Sequence, residues 1–281
     1  MRIIAIALFG LLALSSCEKE ISINVPPVDS ELVVEASINQ AIPTLNYVFI
    51  NRTIDYFNPQ LNLNGLNDAE VYITEGSIQG TDTLYSGTRW KFSLLSDSLL
   101  PGVYANLTFT GKENTPYKLD ISMPDGKKVS GTTFIGKPPV IDSMQYWFQI
   151  EGKDTNSFFW MQWFDGPEQN NYRMAIYNNV DSLLLGWGAA QRFYTFDDEL
   201  INNAMRPFRS LRPYSYGDTL NIYLSSIGRR EYLFWESFGS AANNGGPFAT
   251  PIAVKSNISG AIGSFTGYAI ERKRIVLRYP K

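Results

Sequence analysis

The chain has 281 residues, with 24 Lys and Arg against 27 Asp and Glu, a net charge of −3 and no histidine. Without histidine there is no Ser-His-Asp or Cys-His nucleophile system and no imidazole zinc site, which leaves carboxylates, a lysine base or an oxygen-ligand calcium site. A mildly acidic chain is also a poor partner for nucleic acid, which is held through cationic contacts to phosphate.

Residues 1–16 read as a signal peptide. Arg2 gives a basic start, residues 3–14 form an apolar run too short to cross a bilayer core, and Leu14-Ser15-Ser16 leads into Cys17. Cysteine directly after such a cleavage point resembles the bacterial lipobox. That resemblance implies that the thiol is diacylated and the new amino terminus acylated, and three chains hold a protein to a membrane where one does so only marginally. Cys17 is the only cysteine, so no disulfide is expected. Glu18-Lys19-Glu20 resembles the Bacteroidota signal that sends lipoproteins to the outer face of the outer membrane; a solvated charge run is the plainer alternative. Residues 17–30, stiffened by Pro26-Pro27, read as a lipidated tether.

Strand alternation begins at Glu31, with Leu32, Val34, Ala36 and Ile38 on one parity. It recurs at 44–54, 69–75, 90–95, 103–111, 117–123 and 128–135, with turns at Asn58-Pro59, Pro101-Gly102 and Pro124-Asp125-Gly126. Short strands at this spacing predict an immunoglobulin-like or transthyretin-like β-sandwich over 31–136. Gly136-Lys137-Pro138-Pro139 marks a domain boundary. Strands are expected at 145–150, 157–164, 172–177, 182–186, 219–224 and 270–279. Helices are expected at 196–205, opening on Asp197-Asp198-Glu199, and at 229–242, which carries Tyr232, Leu233, Trp235 and Phe238 on an apolar face. Residues 137–281 therefore read as a second antiparallel β domain with a packed helix, and the fold class is mainly β.

Several short segments match one family in order: Cys17-Glu18-Lys19-Glu20-Ile21, Glu31-Leu32-Val33-Val34-Glu35-Ala36, Asp68-Ala69-Glu70-Val71-Tyr72-Ile73, Tyr117-Lys118-Leu119-Asp120-Ile121, Pro138-Pro139-Val140-Ile141-Asp142-Ser143, and the stretch from Gly246 to Phe265. Through these the chain resembles an uncharacterised Bacteroidota lipoprotein family, known only as a domain of unknown function and often encoded beside TonB-dependent receptors. The resemblance implies a surface lipoprotein with a transporter partner and supplies no catalytic residue, metal or cofactor.

Among candidate sites, the aromatic stretch 158–164 has two apolar faces. It is read first as a buried strand, and otherwise as part of a stacking platform for sugar rings or peptide side chains formed with Trp147, Trp160, Trp163 and Trp187. The glycines at 245–246 and 260–267 lack phosphate-loop spacing and are read as turns or close packing. Asp197-Asp198-Glu199 lacks the alternating calcium-ligand pattern and is read as helix-start acid. Arg206, Arg209 and Arg212 are read as a solvated loop, with an acidic partner or lipopolysaccharide phosphate as the alternative. Asp-Ser or Asp-Thr before an apolar residue places candidate O-glycosylation at Thr83, Ser98, Ser143, Ser182 and Thr219, a pattern that turns leading into strands also produce.

Together these readings predict a non-enzymatic outer-membrane lipoprotein facing the cell exterior, held by its acyl chains, and serving a TonB-dependent barrel protein as an accessory or glycan- or peptide-capturing subunit. An adhesion module is the second expectation. A carboxylate-pair glycoside-processing enzyme is the third.

Overall fold

The computed structural model describes residues 30–53, 65–179, 192–199, 203–244, 250 and 252–278. The expected signal, Cys17 and its flanking charges, the 182–186 strand and Trp187 lie outside them. In chain order the strands are β1 (Leu32–Asn39), β2 (Tyr47–Arg52), β3 (Glu70–Glu75), β4 (Ser77–Gln79), β5 (Asp82–Leu84), β6 (Arg89–Ser96), β7 (Leu100–Ala105), β8 (Thr115–Ser122) and β9 (Lys128–Ile135). They continue as β10 (Ile141–Glu151), β11 (Asp154–Phe164), β12 (Asn171–Asn178), β13 (Arg192–Asp197), β14 (Met205–Arg209), β15 (Tyr214–Ser215), β16 (Thr219–Ile227), β17 (Ile258–Ser259) and β18 (Ile262–Val276). One α-helix, α1 (Arg229–Ala242), lies between β16 and β17.

Twelve strands form one sheet in the order β13-β12-β16-β18-β1-β2-β7-β6-β3-β8-β9-β17. It doubles back on itself. The first half of β6 registers with β3 (Val71↔Phe92) and its second half with β7 (Ser93↔Ala105), so β6 turns the corner between two layers. Between the layers, Leu32, Val34, Ala36 and Ile38 of β1 meet Val71, Ile73, Phe92, Leu119 and Ile121 in one core. The mainly β, sandwich-type fold expected from the alternation is the observed one.

β18 ties the two halves of the chain together. It runs parallel to β1 from Val33↔Ile262 to Asn39↔Tyr268, then antiparallel to β16 from Ser226↔Ala269 to Thr219↔Val276. Phe265 and Ala269 are buried in the first core, and Ile275 packs against the second. The sheet thus crosses the boundary expected at Gly136-Lys137-Pro138-Pro139. In the second half, β12 is buried on both faces. Tyr172, Met174 and Ile176 meet Phe159, Met161 and Trp163 of the smaller β10-β11-β14 sheet. On the other face, Ala175 and Tyr177 share a cluster with Tyr232, against which Leu233 and Trp235 pack.

Three expectations fail for local reasons. Residues 196 and 197 end β13 and Met205 begins β14, so no helix forms among the described residues of 196–205. The period there is two, and β13 pairs along β12 from Ile176↔Arg192 to Asn171↔Asp197. The turn expected at Pro101-Gly102 lies inside β7; the chain reverses earlier, where Ser96 Oγ accepts the Leu99 amide at 3.1 Å. The 103–111 strand stops at Ala105 because Asn106 Oδ1 takes both the amide and the hydroxyl of Thr108 at 3.0 and 2.7 Å, a local turn that ends the ladder. The helix at 229–242 and the Pro124-Asp125-Gly126 turn are present as expected, with Gly126 at φ +85°.

Gly263, on β18, registers with Val34 of β1. It has φ +143°, and a Cβ there would stand 1.8 Å from the Val34 carbonyl oxygen. Gly263→Val is therefore expected to lower unfolding free energy by at least about 3 kcal/mol in urea titration. A loss under about 1 kcal/mol would mean that the approach of β18 to β1 is dispensable.

Candidate functional site

A cleft of about 530 Å³ opens between the second half of α1, β13 and the outward face of β1. The period of 3.6 in α1 turns Phe234, Trp235 and Phe238 toward it, and β13 adds Phe193 and Tyr194. The rings form a continuous wall. Trp235 meets Phe234 edge-on at 4.9 Å and Phe238 edge-on at 6.0 Å. Phe238 and Phe193 keep 48% and 39% of their surface exposed, so the wall is open to a ligand.

Two charged groups stand in this apolar lining. Arg173 of β12, only 4% exposed, sits with its guanidinium 3.5 Å over the Trp235 ring and 4.6 Å from Phe193, and donates to Tyr268 Oη at 2.8 Å. Stacking on rings and a phenol acceptor stabilises a cation that burial alone would disfavour. Glu35 of β1, half-buried, accepts from Tyr47 Oη at 2.6 Å. Burial, reinforced by the Glu35 carboxylate, pushes the Tyr47 phenol well above its usual range, and burial raises Tyr268 to about 12. Both phenols are neutral at physiological pH, Tyr47 donating to Glu35 and Tyr268 accepting from Arg173. The lining thus offers rings for an apolar or aromatic ligand, with one carboxylate and one guanidinium to orient it. Among the described residues it carries one acid, Glu35, and no carboxylate pair of the kind glycoside cleavage needs.

A family model described as a domain of unknown function matches residues 18–274. The chain belongs to the DUF4249 family. Among curated proteins no match was found. A crystal structure of a DUF3823 family protein from Bacteroides uniformis aligns with 88% of this chain and 99% of its own, at 10% identity and a TM-score of 0.28. The matched family carries no assigned activity.

The candidate tryptophans separate. Trp163 is 1% exposed, edge-on to Tyr172 at 5.6 Å inside the second core. Its ring partners, Tyr172 and Phe196, belong to β12 and β13. Trp147 and Trp160 share the outer face of the smaller sheet, since Trp147 registers with Phe158 and Trp160 with Gln145. The expected arginine loop is largely strand: Arg206 is buried 3.7 Å from the buried Asp165, and Arg209 lies over the Trp147 ring at 4.7 Å. Asp197 and Glu199 stand 3.5 and 2.5 Å from Arg229 at the start of α1, and no metal-binding group of three acidic or thiol residues occurs among the described residues. Thr83 and Ser98 are exposed, Ser143 and Thr219 half-buried, and Ser182 is outside the described residues. The ring-lined cleft was missed because its residues come from β1, β12, β13 and α1, which are distant in sequence; only the Phe234-Trp235 pair with Phe238 hinted at it.

α1 is pinned by Glu231, whose carboxylate folds back over Gly228 and accepts from Thr133 Oγ1 at 2.9 Å; the same hydroxyl accepts the Gly267 amide at 2.8 Å. Burial raises the Glu231 pKa above its ordinary value. A raised folded-state value means that the native protein binds the proton more tightly, so this group's contribution is full below about pH 4.3 and fades as pH rises through the raised value. Urea midpoints of the native chain should therefore fall across that window, and Glu231→Gln should flatten the fall. An unchanged slope in the variant would show that Glu231 is not the group responsible.

Proposed function

We propose that this protein is a lipid-anchored capture subunit on the outer face of an outer membrane, serving a TonB-dependent transporter. The cleft carries the capture part of this reading. A concave, largely apolar volume of about 530 Å³ with two fixed charges suits retention of a small ligand bearing a ring or an apolar group. Among the described residues, Glu35, Arg173 and Tyr194 are its titratable lining; stacking on Trp235 and the bond from Tyr47 hold the Arg173 and Glu35 charges in place, which supports a role in orienting a ligand. Place and partner rest on sequence. Leu14-Ser15-Ser16-Cys17 supports acylation, Glu18-Lys19-Glu20 supports export to the surface, and the segments resembling a family encoded beside TonB-dependent receptors support the transporter. No helix among the described residues is long and apolar enough to cross a membrane, in keeping with attachment through lipid.

Two measurements test the parts separately. Cys17→Ser should move the protein from the membrane to the soluble fraction and abolish palmitate labelling, and a C-terminal tag on the native chain should recover an outer-membrane barrel protein. Retention of the variant in the membrane, or no barrel protein recovered, would overturn anchor or partner respectively. For the cleft, anilinonaphthalene sulfonate is the probe. Nothing lies within 4 Å of a Cβ built on Gly239, so Gly239→Leu adds bulk to the cleft wall while improving helix propensity. It should reduce probe affinity about tenfold or more; equal affinity in both proteins would remove the cleft from the account.

A further inference from the structure

A second concave surface lies away from the helix, where the β10–β11 turn meets the chain between β14 and β16. This cleft, also about 530 Å³, is polar. Its charges cancel in sign, Lys153 and Arg192 against Asp154 and Asp218. Asp218 is committed, accepting from Asn178 and Asn179 side-chain amides at 2.8 and 2.7 Å and from the Ser215 amide at 2.9 Å. Arg192 is fixed as well, donating to the Arg212 and Pro213 carbonyls at 2.9 and 3.0 Å with its plane 4.0 Å over Tyr214. Asn178 Oδ1 has no hydrogen-bond partner among the described residues.

Asn156, which lines this cleft, also belongs to the outer face of the smaller sheet. Along that face Trp147 stacks on Phe158 at 5.6 Å with 13° between planes, and Trp160 follows on the same parity. Amides interleave with the rings. Gln149 and Asn156 both donate to Glu151, at 2.9 and 3.1 Å, and Gln162 donates to Asp142 at 2.8 Å. Asn156 to Trp160 spans four residue steps of strand, roughly 13 Å.

We propose that this cleft and the adjoining ring face bind a neutral oligosaccharide. A pyranose has an apolar C–H face suited to an indole or phenyl ring, and a rim of hydroxyls that both donate and accept. Half-exposed rings beside amides and sign-balanced charges present the complement of each. A polyanion meets no net positive charge here. A purely apolar ligand strips water from these amide–carboxylate pairs and offers no hydrogen bond in return, at about 1–3 kcal/mol for each polar group left short of a partner. This site is independent of the ring-lined cleft, so the two readings stand or fall separately.

The test is titration of the full-length protein in a sugar-free detergent with maltohexaose, cellohexaose, xylohexaose, mannohexaose and chitohexaose, followed by tryptophan fluorescence and calorimetry. Hexagalacturonate is the charged comparator and a tryptic casein digest the peptide one. At least one neutral hexasaccharide is expected to bind, and Trp147→Ala and Asn156→Ala should each weaken it about tenfold. Gly239→Leu should leave it unchanged. Asn156→Ala alone decides the matter if the tryptophan variant unfolds. No neutral binding at about 10 mM, preference for hexagalacturonate or peptides, or affinity unchanged in the folded variants would overturn the proposal.

Discussion

β18 is held between β1 and β16, and this one strand makes a single body of a chain whose apolar residues fall into separate cores. Its first half must lie close enough to β1 for Gly263 to face the Val34 carbonyl without a side chain between them. Its second half must continue straight enough to keep register with β16 through Val276. Phe265 then plugs the first core while Ile275 packs on the second. A parallel pairing between residues so far apart in sequence carries a loop-closure cost that must be met before its contacts repay it. The shared strand offsets that cost by burying side chains in both cores.

From this arrangement follows the double burial of β12, and from that the location of both clefts. β12 lies between the smaller sheet and the layer holding α1, so its alternate side chains enter different clusters. A buried central strand has little room for charge, yet Arg173 is there. Rings on α1 and β13 and the Tyr268 phenol accept its guanidinium, and the same rings form the wall of the candidate site. Stability and candidate function use the same contacts. Two other buried polar side chains are paired within the fold: Asn39 bonds Asn46 and the Ile42 carbonyl where the chain turns from β1 into β2, and Glu231 bonds Thr133 beneath α1.

Much of this was legible in the residues taken in order. Leu32, Val34, Ala36 and Ile38 repeat every second position because one face of β1 is buried, and the period survives with no knowledge of the partner strand. The 229–242 helix was legible because its aromatic residues recur at helical spacing. The acidic run after Phe196 misled, since acid at a helix start and acid awaiting a distant arginine look alike. Only the fold brings Arg229 to Asp197 and Glu199. Arg206 misled similarly: followed by Pro207 and Phe208 it reads as part of a solvated loop, yet its partner Asp165 lies just past the end of β11, far away in sequence.

By itself, the sequence determined the strand period, the turn at Pro124-Asp125-Gly126, the position of α1 and the chemistry that the absence of histidine excludes. Each of these depends on neighbours within a few residues or on composition. The tertiary structure alone decided that Trp163 is core while Trp147 and Trp160 share an open face, and that Glu35, Arg173, Phe193 and Trp235 line one cleft. The reason is that β-strand pairing joins residues across arbitrary sequence separations, and a side chain's face depends on which strand or helix arrives to cover it.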